Sequence, residues 1–417
     1  MVLVVRDVRV FDGRAVLPGR CDVVVRGATI EAVDAAGQPV EPGARVIEGA
    51  GRFLMPGLID AHWHASFAAI PTFVAMTADT GYVHLVAGAE ATRTLERGFT
   101  TVRDAGGPSF ALRRAIEEGV LAGPRIYPSG AFITQTSGHG DFRFRYELPR
   151  DPCRHLSHGE VMGAATIADG VEAVLRGVRE QLMLGATQIK VMAGGGVSSP
   201  HDPLDVTQYT EAELRAAVEA TSDWGTYVMV HAYTPHSIQR AIAAGVRCIE
   251  HGHLADDATA ALMAETGTWW SLQPFLDDED ASPLSDPAAQ AKYGLVTAGT
   301  DRAYELARRY EVKVAWGSDI LFDAAVAARQ GRLLTKMSRW FTPLEVLTMA
   351  TSTNAELLAA TGERNPYGRL GVLEPGALAD LLLIDGDPSV DLDVLADPDR
   401  NLVAIIKDGV VHRDATA

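Results

Sequence analysis

The chain has 417 residues, 47% of them hydrophobic and 22% charged, a balance that supplies core for one large globular domain, or one large and one small. Its formal net charge of −17 argues against nucleic acid and anionic membranes and leaves a small molecule as the expected partner. The three cysteines, Cys21, Cys153 and Cys248, are far apart and odd in number, so neither a disulfide framework nor a CxxC metal site is expected.

The N-terminal stretch MVLVVRDVRVFDG alternates like a strand and lacks the basic head, long apolar run and cleavage site of a leader peptide. No window approaches the roughly 20 apolar residues needed to span a bilayer, and a cytoplasmic protein is expected. Alternating runs at 2–5, 8–11, 22–26 and 29–33 are separated by turns containing Asp12-Gly13, Pro18-Gly19 and Gly27. They predict a meander of short antiparallel strands. The same texture resumes at 379–385 and 402–409, after the turn Leu373-Glu374-Pro375-Gly376. The two ends, 1–56 and 371–417, are therefore expected to build one small β-sandwich.

Between them, over 57–370, strand-like runs at 58–60, 100–103, 125–129, 188–192, 228–231, 248–250, 268–272 and 314–316 alternate with helical ones such as 89–97, 171–184, 211–223 and 238–244. Repeated strand–helix units predict an α/β fold with a parallel sheet and helices outside. Eight units fit a (β/α)8 TIM barrel, whose chemistry gathers at the C-terminal strand ends. A doubly wound open sheet is the rival, but no GxGxxG follows a strand, and Gly194-Gly195-Gly196 lacks that spacing.

The chemistry starts in LMPGLIDAHWH (54–64), where His62 and His64 end the first barrel strand. Positions i and i+2 share a strand face, so both imidazoles point one way, as half of a metal site does. Further strand ends carry polar residues that an apolar core would not tolerate: Lys190 on the fourth, His231 on the fifth, His251 on the sixth and Asp319 on the eighth. Singly, a strand histidine is usually a satisfied core residue, and Asp319 would serve equally as a helix cap. A buried lysine is different, because an unpaired ammonium is very costly there; it must be paired, neutral or modified.

Jointly, two histidines, a lysine, two more histidines and an aspartate on those strands resemble the ligand set of the binuclear amidohydrolase superfamily, including its sandwich from both termini. The segments TVRDAGG (101–107), QTSGHGDFR (135–143), KVMAGGGVSSPHDPLD (190–205), HAYTP (231–235) and IEHGH (249–253) are similar to the prolidase-like, imidazolonepropionase-related branch. The resemblance implies two divalent ions, zinc foremost. His62, His64 and Asp319 would hold the buried ion, and His231 and His251 the more exposed one. Lys190 would be carboxylated by CO2 and bridge them. It implies a bridging hydroxide as nucleophile and Asp319 as the catalytic proton carrier, acting on an amide C–N bond of Xaa-Pro or other dipeptides or N-acyl amino acids. The same branch is similar to hydrolases of ochratoxin-type amides, phenylureas and thiocarbamates, so a xenobiotic amide, carbamate or phenylurea is the alternative substrate. Lys190 disfavours a mononuclear deaminase, and a non-catalytic binding homologue would tend to lose ligands that are all present here. A homo-oligomer is also implied.

For the leaving amino acid's carboxylate, the resemblance points to His139 and Tyr233. Arg143 and Arg145 suit the same task through bidentate pairing, or else bridge to acidic neighbours. His201 and Asp202 read as loop-shaping residues, Arg103 and Asp104 as supports for the second strand end, and Trp269-Trp270 as core. The acidic run Asp277-Asp278-Glu279-Asp280 reads as a solvated loop, with a mobile lid or an amine-binding patch as the functional alternatives.

Overall fold

The computed structural model describes residues 2–148, 155–281, 284 and 286–416; Cys153 lies outside them. Five strands open the chain: β1 (Val2–Val10), β2 (Cys21–Arg26), β3 (Thr29–Ala35), β4 (Arg45–Glu48) and β5 (Phe53–Pro56). β1, β2 and β3 form the expected antiparallel meander, with Gly27 at φ +62° in the turn where Arg26 faces Thr29. β4 and β5 depart from it, because both pair with β1 in parallel, at Leu3–Arg6 and Arg9–Val10 respectively. Such pairings need crossovers, which local alternation does not reveal.

Ten strands follow: β6 (Leu58–Trp63), β7 (Phe99–Asp104), β8 (Arg125–Pro128), β9 (Phe132–Thr134), β10 (Ala165–Ile167), β11 (Ile189–Met192), β12 (Val228–Ala232), β13 (Cys248–His251), β14 (Trp269–Leu272) and β15 (Val314–Trp316). They make two parallel sheets, β6-β7-β8 and β10-β9-β11-β12-β13-β14-β15. All eight expected barrel runs are strands. The third is broken, and β9 and β10 were not foreseen. The chain turns at Gly130, φ +71°, where a Cβ would lie 2.3 Å from Gln181 Oε1. β8 then pairs with β7, while β9 pairs with β11.

At the other seam, between β15 and β6, the Asn354 side chain donates to Ile59 O (2.7 Å) and Trp316 O (2.8 Å) and accepts from Trp316 N (3.1 Å). Asp60 works beside it, accepting from His62 N and Ser318 N at 3.0 Å each. Helices alternate with the strands, among them Thr80–Glu96, Val171–Leu184, Glu211–Asp223 and Pro287–Arg309. None among the described residues is long and apolar enough to cross a membrane.

β16 (Leu381–Ile384), β17 (Leu402–Lys407) and β18 (Val410–Asp414) return to the opening sheet, β16 pairing antiparallel with β5. The run Leu381–Ile384 is apolar throughout because its two faces enter different cores. Leu381 and Leu383 pack with the terminal strands, and Leu382 and Ile384 with the large core beneath the parallel sheets. Arg125 on β8 is buried and paired with Asp380 and Asp408 of this terminal sheet. Replacing it with Met leaves a buried carboxylate without its cation. We expect Arg125→Met to cost about 3 kcal/mol or more, measured as a fall in the urea midpoint.

Candidate active site

β6 is buried along its whole length, and His62 and His64 project from its C-terminal end to one side. Trp63 turns away into a separate apolar cluster with Ala87 and Ile126. Each imidazole has one nitrogen committed to the protein. His62 Nδ1 donates to Glu250 Oε2 at 2.6 Å, and His64 Nδ1 to Gly106 O at 3.2 Å. Both Nε2 atoms lie 3.2 Å from the same oxygen, Asp319 Oδ1. His62 Nε2 is fully buried and lacks an aligned hydrogen-bond partner.

The other expected residues arrive at the same place. His231 Nε2 donates to Gly195 O (3.0 Å) and His251 Nδ1 to Gln273 Oε1 (2.8 Å), leaving the opposite nitrogen of each ring uncommitted. The rings of His62 and His251 are 4.9 Å apart and those of His231 and His251 4.6 Å. One atom each from His62, His251 and Asp319 falls within 4.8 Å of the others, a spacing suited to a metal ion. Two of these positions use left-handed backbone, His251 at φ +74° and Asp319 at φ +48°, and such strain collects at functional sites. Gly317 makes the approach possible, since a Cβ there would lie 2.3 Å from that of His62.

Burial pushes the pKa values of His231 and His251 well below the usual imidazole range, so both are neutral and able to ligate. Burial would raise Asp319, but His62 and His64 hold it well below the usual carboxylate range. Lys190 is 1% exposed and pairs with no carboxylate among the described residues. Burial lowers its pKa against the opposing pull of Glu250 and Asp319.

The residue that sequence reasoning missed is Glu250. It is fully buried and accepts from His62 Nδ1, from Arg103 Nη2 (2.7 Å) and from Cys248 Sγ (3.0 Å). Burial would raise its pKa, but Arg103 and His62 hold it well below the ordinary value. A carboxylate inside the apolar run Cys248-Ile249-Glu250-His251 was the available clue, for the same reason that Lys190 stood out. Arg103 does more than support the end of β7, donating also to Ala61 O (2.5 Å) and Tyr227 Oη (3.2 Å). Asp104 does hold that end, accepting from Ala65 N at 3.1 Å, and burial pushes it up to about 7.

Above these groups opens a cavity of about 800 Å³. His62, His64, Lys190, His231, His251 and Asp319 lie on it, as do His139, Tyr233, Arg143 and Arg145. Phe67, Phe73, Met76, Phe142, Leu321 and Phe322 make one apolar wall. His139 stacks on His231 (4.1 Å, 21°), and its Nδ1 is 2.5 Å from Ser199 Oγ. Tyr233 stacks on His251 at 5.2 Å. Arg143 is less available than its position suggests, because its Nε (2.8 Å) and Nη2 (2.6 Å) form a bidentate pair with Asp141. Arg145 is exposed at the rim, in the turn 145–147.

Other expectations resolve simply. His201 Nε2 donates to Arg143 O (2.8 Å) and Asp202 accepts from Gly196 N (2.7 Å), both shaping loops. Trp269 and Trp270 are buried, and Trp270 Nε1 supports His251 O at 2.7 Å. The acidic run is neither a free lid nor a plain solvated loop. Asp278 and Asp280 pair with Lys336, and Asp280 also with Arg329 and Arg332. Those cations lie some fifty residues downstream, out of view of a local reading. His253 Nε2 donates to Gln273 O (2.9 Å), His236 contacts Arg240, and neither lies on the cavity.

Set against known proteins, the chain is similar to a prolidase solved in complex with N-methylphosphonate-L-proline, with 37% identity and a TM-score of 0.90 over 99% of this chain and 100% of that one. It is similar to a Xaa-Pro dipeptidase solved with methionine in its active site, with 27% identity and a TM-score of 0.85 over 99% and 100%. It is 31% identical to an ochratoxinase of Aspergillus niger over 368 residues, 83% of this chain and 72% of that one. The sequence profile of the amidohydrolase family matches residues 53–412, and the chain belongs to that family.

Proposed function

We propose that this hydrolase is a binuclear metal-dependent amidohydrolase that cleaves the amide bond of an amino-acid derivative with a free carboxylate on its leaving side, a dipeptide or an N-acyl amino acid. The observation that carries the proposal is the convergence of His62, His64, His231, His251, Lys190 and Asp319 below a cavity edged by His139 and Tyr233. On this reading β6–β8, β9 and β11–β15 are arcs of one closed barrel over 57–370, and residues 1–56 and 371–417 make a sandwich beside it. The protein works as a cytoplasmic homo-oligomer on a small molecule.

The donor set fits the metal reading. Each histidine turns one N–H to a protein acceptor and keeps the other nitrogen for a ligand, the usual arrangement around divalent ions. His62, His64 and Asp319 would hold one ion, zinc in the first instance, and His231 and His251 the second. Lys190, buried and without a carboxylate partner among the described residues, is the residue that CO2 would carboxylate, and the carbamate would supply an anionic ligand. The ions would supply Lewis-acid activation of the carbonyl and of the attacking water. Asp319 would accept a proton from the attacking water and return it to the leaving nitrogen as the C–N bond breaks. Glu250 holds His62 in the tautomer that leaves Nε2 bare. His139 and Tyr233 receive the leaving carboxylate, and the phenylalanine-rich wall excludes water and receives the acyl side.

The same apolar wall, together with the commitment of Arg143 to Asp141, favours one second reading, a neutral aromatic amide, carbamate or phenylurea. A panel pairing dipeptides and N-acyl amino acids with their C-terminal amides, plus phenylureas and carbamates, separates the two. A kcat/KM much higher for each free carboxylate than for its more slowly cleaved amide is expected, and turnover of the neutral compounds alone would sink the carboxylate reading.

Chelation should abolish activity, and zinc with bicarbonate should restore it at two ions per chain by elemental analysis. Lys190→Ala should bind fewer ions and lose activity that bicarbonate cannot restore. Glu250→Gln is expected to lose about 10- to 100-fold in metal affinity or kcat, read by metal titration and steady-state kinetics. His139→Ala and Tyr233→Phe should each raise KM for carboxylate substrates by about tenfold with a smaller change in kcat, measured at saturating metal.

A further inference from the structure

Between β11 and the helix Glu211–Asp223 the chain makes an excursion closed at its base by Gly195 N to Val206 O (3.0 Å) and Gln208 N to Ala193 O (2.9 Å). Its tip folds around Asp202, which is 2% exposed. Asp202 Oδ2 accepts from Gly196 N (2.7 Å) and Oδ1 from Ser199 Oγ (2.5 Å), and Ser199 Oγ in turn meets His139 Nδ1 at 2.5 Å. Gly196 packs against the His139 ring so closely that a Cβ would come within 2.1 Å of it. The orientation of His139 is therefore set by the shape of residues 196–202.

That shape is also held from a neighbouring helix. Lys292, on the helix Pro287–Arg309, donates from Nζ to Gly196 O (2.9 Å), Ser199 O (3.1 Å) and Asp202 O (2.8 Å). An ammonium has three N–H donors and no acceptor, so these carbonyls use all of its capacity. Among the described residues no carboxylate pairs with it. A cation engaged only by three carbonyls of one loop is matched to that loop's geometry.

We propose that Lys292 is a positioning residue: it clamps residues 196–202 so that Ser199 and Gly196 hold the His139 ring in the orientation that receives the substrate's carboxylate. This rests on the reading that His139 binds that group. The helix carrying Lys292 also lends Tyr293 and Ala289 to the cavity, so one contact ties two walls of the site together.

The test uses metal-loaded full-length enzyme and a substrate pair, the best free-carboxylate compound and its C-terminal amide. Lys292→Met keeps the apolar stem and removes the donors. We expect KM for the carboxylate to rise about tenfold or more, kcat to change less than about threefold, and kinetics on the amide and metal content to stay unchanged. Lys292→Gln, which keeps one amide group as donor, should fall between Met and wild type and carries the test should the Met variant not fold. A wild-type KM for the carboxylate in either folded, metal-replete variant would overturn the clamp, as would equal losses on both substrates. A wild-type enzyme indifferent to the carboxylate would overturn the reading of His139 and the clamp with it, an outcome visible before any variant is made.

Discussion

Glu250 is a carboxylate sealed from water, with the Arg103 guanidinium 2.7 Å away on one side and His62 Nδ1 2.6 Å away on the other. Charge is expensive in such a place unless it is paired and hydrogen-bonded, and here both conditions hold. Arg103 is in turn fixed by Ala61 O and the Tyr227 hydroxyl, so β6, β7, β13 and the residue that leads into β12 meet at one ion pair. The consequence runs outward: with Nδ1 of His62 held by Glu250, Nε2 of the same ring lies 3.2 Å from Asp319, and the His251 ring packs 4.9 Å away.

A second layer of polar contacts gives the strand ends their relative heights. Asp60 accepts from the backbone of both His62 and Ser318, and Asn354 spans β6 and β15. The first strand and the loop that delivers Asp319 are thereby held in register across a seam where backbone pairing is sparse. Gly317 and the left-handed conformation of Asp319 are the local price of that proximity, and they occur where the chemistry needs them.

Much of this arrangement was legible in the sequence, for identifiable reasons. The strands that carry His62, Lys190, His231 and His251 are short apolar runs holding a residue type that the run itself cannot accommodate, and Asp319 follows another such run, β15, in the loop beyond it. Such a contradiction survives any uncertainty about boundaries. Glu250 carried the same contradiction but was masked by its neighbour His251, which drew the interpretation. For Arg143 the sequence left two roles open, a substrate carboxylate or an acidic neighbour, because at i and i+2 in an irregular loop no periodicity tells whether its side chain and that of Asp141 meet. β9 and β10 are three residues each, too short to show alternation, and the parallel pairing of β4 and β5 with β1 depends on contacts that no local window contains. The partners of the acidic run lie on a helix and turn at 329–336, a distance that again only folding closes.

The junction between the two parts of the molecule bears on how the chain is made. Only Gly57 separates β5 from β6, and β5 takes its edge partner from β16, with Met55 opposite Leu382. Emerging from a ribosome, the strand that leads to His62 and His64 therefore waits, its anchor half-paired, until β16 (Leu381–Ile384) has been synthesised. A long-range contact of this kind delays folding, and the two histidines gain their fixed frame only once it has formed. Nascent chains lacking β16 would carry His62 and His64 on a strand whose anchor, β5, is paired on one side only.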